Sequence, residues 1–134
     1  MKDPLRFEVP LVVAVGGALG SIARWSLTES VASEQAFPWP TFIANVSGSL
    51  LLGVVLVLGE LFHPRRHRAW ARLWRPFLAT GVLGGYTTFS TFAVELERLG
   101  LDAALTYAVS SLVFGLLAFA MGSAATRRIA GVNA

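Results

Sequence analysis

The chain contains no cysteine, and charged residues make up only 14% of its 134 residues. Without cysteine there is no disulfide, no thiol redox chemistry and no thiolate–metal site. A soluble domain carries about 25% charged residues, so the low charge and the 54% hydrophobic content indicate a membrane protein. The net charge of +3 does not indicate a nucleic-acid partner, because the arginines flank apolar segments, where they are typical of a membrane surface.

The usual residues of a catalytic site are also missing. No histidine and no carboxylate lies in the middle of an apolar segment, and no serine has an evident base. We therefore predict that the protein is not an enzyme. His63 and His67 have the i, i+4 spacing of metal ligands. Five nearby arginines would repel a cation, so we interpret this pair as solvated or headgroup-facing.

Four apolar segments account for most of the length. Each has about 20 residues, the length needed to cross the hydrocarbon core. We predict an all-α membrane protein with one transmembrane domain, residues 1–134, and spans at residues 9–27, 41–62, 77–99 and 102–124. The first run is too long for a signal peptide and lacks a small-residue cleavage motif, so no cleavable signal is expected. So small a bundle encloses little interior, and a pore is expected to need a second subunit.

The third segment contains a stretch that is poorly suited to a membrane helix, Gly81-Val-Leu-Gly-Gly-Tyr-Thr-Thr-Phe-Ser-Thr-Phe92. Its glycines lower helix stability and permit positive φ, and its hydroxyl side chains compete for backbone hydrogen bonds. We predict a third helix that is broken within the bilayer, a feature that favours an ion or solute site. A helix contact rich in small residues is the alternative.

The first segment carries Gly16 and Gly20, which are four residues apart. They share a helix face and permit a close approach of two backbones. A dinucleotide-binding loop is excluded, because Val15 occupies the first glycine position and no strand–turn–helix unit surrounds it. Arg24 lies near the end of this segment. It is either a snorkelling interfacial arginine or a group that attracts an anion.

Polar residues form stripes along the second and fourth segments. Thr41, Asn45 and Ser49 are spaced by four and lie on one helix face, and Tyr107 and Ser111 repeat that spacing. A buried carboxamide costs several kcal/mol if it is unpaired. Asn45 therefore makes either an interhelical hydrogen bond, worth about 1 kcal/mol, or a contact with a solute.

Uncharged hydrogen-bond donors of this kind suit a small anion. Dehydrating a small ion costs tens of kcal/mol, and amide and hydroxyl groups can replace the lost water. The electropositive edges of Phe89 and Phe92 can also face an anion. Carbonyl oxygens freed near Gly84 and Thr87 suit a hard cation instead, and two subunits crossing there would offer four. The candidate donors are Thr41, Asn45, Ser90, Thr91, Tyr107 and Ser111.

Three motifs resemble the Fluc/CrcB family of small fluoride channels, and the match spans nearly the whole chain. They are Gly16-Gly17-Ala-Leu-Gly20-Ser-Ile-Ala-Arg24, Thr41-Phe-Ile-Ala-Asn45-Val-Ser-Gly48 and Gly84-Gly85-Tyr-Thr87-Thr-Phe89-Ser90-Thr91-Phe92. The third motif is highly specific, whereas the first alone is weak. The resemblance implies a fluoride-selective channel that passively exports cytoplasmic fluoride across the inner or plasma membrane. It also implies an antiparallel dimer with two pores and a structural sodium ion at its centre.

The resemblance assigns roles to single residues. It implies that Asn45 coordinates fluoride and that Phe89 and Phe92 line the pore, while the carbonyls of Gly84 and Thr87 hold the sodium ion. No organic cofactor is implied. The resemblance also places hydroxyls along a polar track and charges at its vestibule. These further residues are Thr41, Ser90, Thr91, Tyr107 and Ser111 for the pore, and Arg24 and Glu95 for the vestibule.

Two features depart from the family pattern. Gly115 stands where some relatives carry a third hydroxyl of the track. In addition, basic residues concentrate on one side of the four-span topology, which places both termini in the cytoplasm by the positive-inside rule. A homodimer is favoured over pairing with an oppositely oriented homologue. The basic residues on that side are Lys2, Arg6, Arg65, Arg66, Arg68, Arg72, Arg75, Arg127 and Arg128.

Other membrane proteins of this size fit the sequence less well. A small multidrug transporter needs a carboxylate inside the membrane, but Glu8 and Glu60 lie at the ends of spans. A potassium pore is excluded because the order Gly84-Gly85-Tyr86-Thr87 does not reproduce the Thr-Val-Gly-Tyr-Gly filter. A non-conducting assembly protein, whose small residues only pack helices, is the second functional class.

Overall fold

The computed structural model of the chain describes residues 5–31, 37–61 and 69–131. Apart from short connections, these residues are helical, which confirms the predicted all-α fold. The third span combines several helical pieces. The elements are α1 (Leu5–Ser30), α2 (Trp39–Leu61), α3 (Ala69–Arg75), a π-helical segment (Pro76–Val82), α4 (Leu83–Tyr86), α5 (Phe89–Arg98) and α6 (Leu101–Ile129).

Four stretches are long and apolar enough to cross a membrane, as predicted, and the protein is a multi-pass membrane protein. α1 continues past its apolar segment, and hydroxyl side chains near its end bond back to carbonyls of the same helix. Thr28 donates to the carbonyl of Arg24 at 3.0 Å, and Ser30 donates to that of Ser26 at 2.7 Å. The four stretches are Phe7–Ser30, Trp39–Leu61, Arg72–Arg98 and Leu101–Ile129.

α1 packs directly against the backbone of the third span. A Cβ atom added to Gly16 would overlap the carbonyl oxygen of Phe77, and one added to Gly20 would overlap that of Val82. Both glycines are buried. These contacts confirm the close approach that their spacing predicted, because a side chain at either position would push the helices apart.

α2 and α6 pack side by side and run in the same direction. A Cβ atom added to Gly53 would overlap the carbonyl oxygen of Phe119, and one added to Gly122 would overlap that of Leu50. Further along the interface, Tyr107 is fully buried. The packing of α2 against α6 brings the polar stripes of the two helices to the same side of the bundle.

The third span is interrupted between α4 and α5 by Thr87 and Thr88. Thr87 has φ −80° and ψ 158°, and Thr88 has φ −147° and ψ 123°. Both are extended conformations that β-branched residues adopt readily. Among the described residues only Gly131 has a positive φ. The glycines of this stretch permit positive φ but do not adopt it, and the two threonines supply the change of direction.

Large apolar side chains remain exposed on the single chain. Phe89 is 80% exposed, and Leu112 and Leu116 on α6 are 65% and 71% exposed. In a protein that spans a membrane, such side chains contact lipid or another subunit.

Several predictions concern residues outside the described ranges. They include the pair His63 and His67 and the side chain of Arg6. The remaining residues of this kind are Lys2, Arg65, Arg66 and Arg68.

Candidate functional site

An open cavity of about 450 Å³ lies beside the interruption of the third span. It forms there because α4 stops short and because small residues of α2 face it. A Cβ atom added to Gly48 would overlap the side chain of Thr87, whereas one added to Gly84 would meet nothing within 4 Å. The predicted site residues that line this cavity are Asn45, Gly84, Thr87, Phe89, Phe92 and Ser111.

Asn45 joins α2 to the interruption through both ends of its carboxamide. Its Nδ2 donates to the carbonyl oxygen of Thr88 at 3.1 Å, and its Oδ1 accepts from the N–H of Thr88 at 2.9 Å. The interhelical hydrogen bond that the sequence allowed is thus present. Because an amide NH₂ carries two hydrogens, Asn45 retains one for a further acceptor while it lines the cavity.

Phe89 and Phe92 lie on one face of α5. Their ring centroids are 6.0 Å apart, with an angle of 39° between the planes. The ring of Phe92 also packs against that of Tyr107, with centroids 5.0 Å apart. Both phenylalanines line the cavity, and Phe89 is the more exposed of the two.

Ser111 of α6 lines the same cavity. Its Oγ is buried and has no hydrogen-bond partner in the part of the chain that the structure describes. An unsatisfied buried hydroxyl costs about 1–3 kcal/mol. Ser111 also lines a second cavity of about 300 Å³, together with Ser49 and Gly115. Ser111 is therefore the hydroxyl best placed to bind a ligand.

The predicted track residues Thr41 and Tyr107 are paired with Glu95. The hydroxyl of Thr41 donates to Glu95 Oε1 and that of Tyr107 donates to Glu95 Oε2, both at 2.7 Å. Glu95 thus uses both carboxylate oxygens within the bundle. Arg98, three residues after Glu95 in the sequence, is not its partner in an ion pair of the described residues, where Arg127 and Glu60 are paired at 2.7 Å.

Arg24 contacts the backbone at the interruption. Its Nε donates to the carbonyl oxygen of Gly85 at 3.3 Å. The carbonyl of Gly85 lies in the last turn of α4, the negative end of the helix dipole, where a cation is favourable. Arg24 therefore does more than snorkel to the interface, because it caps a helix end.

Ser90 and Thr91 lie at the start of α5, where Thr88 acts as the N-cap. The Oγ1 of Thr88 accepts from the N–H of Thr91 at 3.2 Å, donates to Thr91 Oγ1 at 3.0 Å and lies 3.3 Å from Ser90 Oγ. Sequence reasoning did not select Thr88. Its three-residue spacing from Thr91, which is typical of an N-cap, was the available signal.

Phe37 is a second residue that sequence reasoning missed. It lies before α2, and the edge of its ring meets Tyr107 with centroids 5.2 Å apart and an interplanar angle of 80°. It also contacts Trp39, with centroids 4.6 Å apart. A position in a connection gives no periodic signal, so its place over Tyr107 is visible only in three dimensions.

The carbonyls of Gly84 and Thr87 lack the donors that an uninterrupted helix would supply from four residues further on. The N–H of Thr88 donates to Asn45 rather than to Gly84, and the N–H of Thr91 donates to Thr88 Oγ1 rather than to Thr87. Carbonyl oxygens of this kind suit a hard cation, and the donor set fits the predicted sodium ion.

No cluster of three or more histidine, cysteine, aspartate or glutamate side chains occurs in residues 5–31, 37–61 and 69–131. His63 and His67 lie outside these ranges.

Comparison with known proteins gives a consistent result. The model of the family described as "CrcB-like protein, Camphor Resistance (CrcB)" matches residues 11–123. The chain is 42% identical over 130 residues to a protein of Bordetella petrii named "Fluoride-specific ion channel FluC", with 94% of each chain covered. A protein of the same name from a Caulobacter species is 38% identical over 128 residues, which cover 91% of this chain and 97% of the relative. The Rhodococcus jostii protein "Fluoride-specific ion channel FluC 1" is 45% identical over 119 residues, covering 87% and 84%.

Proposed function

Because the chain belongs to the CrcB-like family, whose relatives are named as fluoride-specific ion channels, we propose that it conducts fluoride. In this proposal fluoride leaves the cytoplasm passively across the cell membrane, without coupling to protons. The relatives are named as channels and not as enzymes, in agreement with the absence of a catalytic set in the sequence.

The observation that carries the proposal is the pair of neutral donors that face the cavity. Ser111 Oγ is buried without a partner, and Asn45 Nδ2 has one hydrogen beyond its bond to Thr88. Hydrogen bonds to a charged acceptor contribute about 1.5–3 kcal/mol each. Fluoride is a small and strong acceptor, so these groups can replace part of its hydration.

Phe89 and Phe92 supply the rest of the wall. The edge of a phenyl ring is electropositive, and the tilt of 39° between the two rings lets them present different parts of their edges to the cavity. Neither ring carries a formal charge. An anion is therefore attracted without being held as tightly as an arginine or lysine would hold it, which favours release.

The remaining polar residues extend this route. Thr41 and Tyr107 belong to the proposed track, and an anion that reaches them must compete with Glu95 for their hydroxyl hydrogens. Ser90 and Thr91 lie between Phe89 and Phe92 in the first turn of α5. Arg24 of α1, which contacts the end of α4 through Gly85, adds positive charge near the vestibule.

The channel is proposed to be an antiparallel dimer with two pores. The cavity is open, and Phe89 beside it is 80% exposed. A surface that combines an unpaired hydroxyl, freed carbonyls and an exposed phenyl ring is poorly suited to lipid, because polar groups in hydrocarbon are costly. A second copy with the opposite orientation would cover it. An oppositely oriented homologue is the alternative partner.

A structural sodium ion is proposed at the subunit crossing, where the carbonyls of Gly84 and Thr87 would hold it. The support is that both oxygens lack their helical donors. When bound, such a cation would neutralise the partial negative charge of carbonyls that two subunits bring together.

The test is a fluoride-electrode measurement of efflux from liposomes that contain this chain expressed alone. We expect passive fluoride efflux, exclusion of chloride and no dependence on a proton gradient. Substituting Phe89→Ile, Phe92→Ile or Asn45→Asp should abolish the flux while the dimer stays intact. Absence of efflux from the unaltered chain would favour the non-conducting assembly protein or a channel that needs a homologous partner.

Co-expression separates these two outcomes. A channel that needs an oppositely oriented homologue gains efflux when that homologue is supplied, whereas an assembly protein does not. Efflux that survives all three substitutions would remove the assigned pore residues while leaving the family membership unaffected.

A further inference from the structure

The N–H and the carbonyl of Thr88 both bond to a side chain from another helix. In an uninterrupted helix, the N–H of Thr88 would donate to the carbonyl of Gly84. Instead, the N–H donates to Asn45 Oδ1 at 2.9 Å, and the carbonyl accepts from Asn45 Nδ2 at 3.1 Å. One carboxamide thus replaces the helical partner of the N–H, and it adds a donor to a carbonyl that, at the N-cap of α5, also accepts the first bond of that helix.

We propose that Asn45 is a positioning residue that holds the third span interrupted, in addition to the contact with the anion on which the proposed function relies. By taking the N–H of Thr88, Asn45 prevents it from continuing the helix and leaves the carbonyl of Gly84 open. By donating to the carbonyl of Thr88, it orients the residue that precedes Phe89. The direction of α5, and with it the two phenyl rings, is therefore fixed from α2.

The pattern of hydrogen bonds on either side locates the change at Thr88. The preceding residue still follows the helix, because the N–H of Thr87 donates to the carbonyl of Leu83 at 2.9 Å. The following helix is nucleated by the side chain of Thr88, whose Oγ1 accepts from the N–H of Thr91. Between these two helical patterns, Thr88 is the residue whose N–H leaves the helix, and that N–H bonds to Asn45.

Only a carboxamide bonds to both backbone groups of Thr88 at this position. It presents a donor and an acceptor side by side, whereas a carboxylate only accepts and an aliphatic side chain does neither. Inside a membrane protein, backbone groups without water must find internal partners. If the acceptor at position 45 is removed, the N–H of Thr88 can return to its helical acceptor, the carbonyl of Gly84, and bonding to it rewinds the helix.

Rewinding the helix would shorten the third span by a measurable amount. Two extended residues advance about 3.3 Å each and two helical residues about 1.5 Å each, so closing the interruption shortens the span by roughly 3–4 Å. The chain has no native cysteine, so a pair of introduced cysteines can be spin-labelled cleanly. Thr80 and Glu97 lie on either side of the interruption and are exposed, which makes Thr80→Cys with Glu97→Cys a suitable pair.

The experiment measures the distance between these two labels by pulsed electron resonance, in liposomes, with labelled chains diluted into unlabelled chains. We expect Asn45→Leu, which keeps the side-chain volume, to shorten the mean distance by about 3 Å. Asn45→Asp keeps the acceptor for the N–H of Thr88, so the distance should stay at the wild-type value. Asn45→Ala serves as a second variant without the carboxamide if Asn45→Leu does not assemble.

Ser47→Ala is the matched control. Ser47 Oγ lies 3.0 Å from the hydroxyl of Tyr86 and also joins α2 to α4, but it does not touch Thr88. The distance between the two labels in Ser47→Ala should equal the wild-type value. A wild-type distance in Asn45→Leu or Asn45→Ala would overturn the proposal, as would an equal shortening in Ser47→Ala.

Fluoride efflux is measured on the same samples, so the two ideas fail separately. Loss of efflux in Asn45→Leu without a change in distance would mean that Asn45 acts on the ion alone, which contradicts the positioning role. A shortened distance in a protein whose unaltered form conducts no fluoride would support the positioning role and refute the proposed function.

Discussion

Ser110 and Ser111 are neighbours on α6, yet their hydroxyls have different surroundings. Ser110 Oγ donates to the carbonyl of Thr106 at 2.6 Å, as serine commonly does within a helix. Ser111 Oγ is buried without a partner among the described residues and lines the cavity. A hydroxyl without a partner does not stabilise the fold, but it is free to bind a ligand in the cavity.

We expect Ser111→Ala to lower the rate of fluoride efflux about tenfold, because a hydrogen bond to a charged acceptor is worth about 1.5–3 kcal/mol and each 1.4 kcal/mol is a factor of ten. The thermal unfolding temperature should stay the same or rise, since an unsatisfied polar atom is removed. Ser110→Ala is the control and should keep the wild-type rate. Equal rates in the two variants would contradict the binding role of Ser111.

Glu95 is the residue whose partners differ most from expectation. Its carboxylate accepts from Thr41 and Tyr107, two hydroxyls brought to it by α2 and α6. Thr41 is only 6% exposed, so the bond is shielded from water. The carboxylate therefore ties three elements together.

We expect Thr41→Val to lower the free energy of unfolding by about 1.5–3 kcal/mol, because it removes a shielded hydrogen bond to a charged acceptor. The matched control is Thr106→Val, since Thr106 is exposed and its hydroxyl donates only to the carbonyl of Asp102 in its own helix. Denaturant unfolding of the purified protein measures both. A cost for Thr41→Val that is no larger than that for Thr106→Val would show that the bond to Glu95 contributes little.

At the scale of elements, the glycines matter because they lack a side chain and not because they adopt unusual backbone torsions. The interruption is built from Thr87 and Thr88 in ordinary extended conformations. Gly16, Gly20 and Gly85 instead lie where α1 touches the third span, and a Cβ atom at any of them would overlap backbone atoms. The third span therefore packs against α1 through the backbone of these glycines.

We expect Gly20→Ala to lower the free energy of unfolding by at least 1–3 kcal/mol, the usual range for overpacking, because backbone atoms of Val82 must move. Gly17→Ala, on the same helix, should be neutral or stabilising. Its Cβ atom would meet only the carbonyl of Gly81 at 3.9 Å, and alanine is about 1 kcal/mol better than glycine in a helix. Similar losses in both variants, measured by denaturant unfolding, would contradict this account of the interface.

The elements that could be predicted from sequence are those that depend on local periodicity. Span lengths follow from apolar runs, and the contact of Gly16 and Gly20 follows from their spacing. The partners of Asn45 and Glu95 could not be predicted, because they lie on other helices and depend on how α2, α5 and α6 are arranged. For Glu95, the sequence offered the nearby Arg98, whereas the bundle provides buried hydroxyls.

At the scale of the whole molecule, one face of the chain remains incomplete. Gly84 is exposed at the edge of the cavity, and a Cβ atom there would meet nothing within 4 Å. The single chain thus tolerates a large side chain at this position. A partner packed on this face would not.

We expect Gly84→Leu to dissociate the proposed dimer without unfolding the chain, because the added side chain would occupy the subunit crossing. Gly100→Leu is the control, since Gly100 also has open space around it but lies at the end of a span, and its φ of −64° suits any residue. Single-molecule photobleaching in liposomes counts the subunits. A Gly84→Leu protein that remains dimeric would exclude this face as the crossing point.

The interruption at Thr87 and Thr88 needs neither proline nor a left-handed torsion. Its requirements are a two-residue step in torsions open to most amino acids and a neighbouring helix that presents one carboxamide at the right height. The same arrangement should work in other membrane proteins: an asparagine introduced on one helix, opposite a threonine of a continuous neighbouring helix, should open a comparable gap in that neighbour. Designers of membrane proteins could use it to place free backbone oxygens where a binding pocket is wanted.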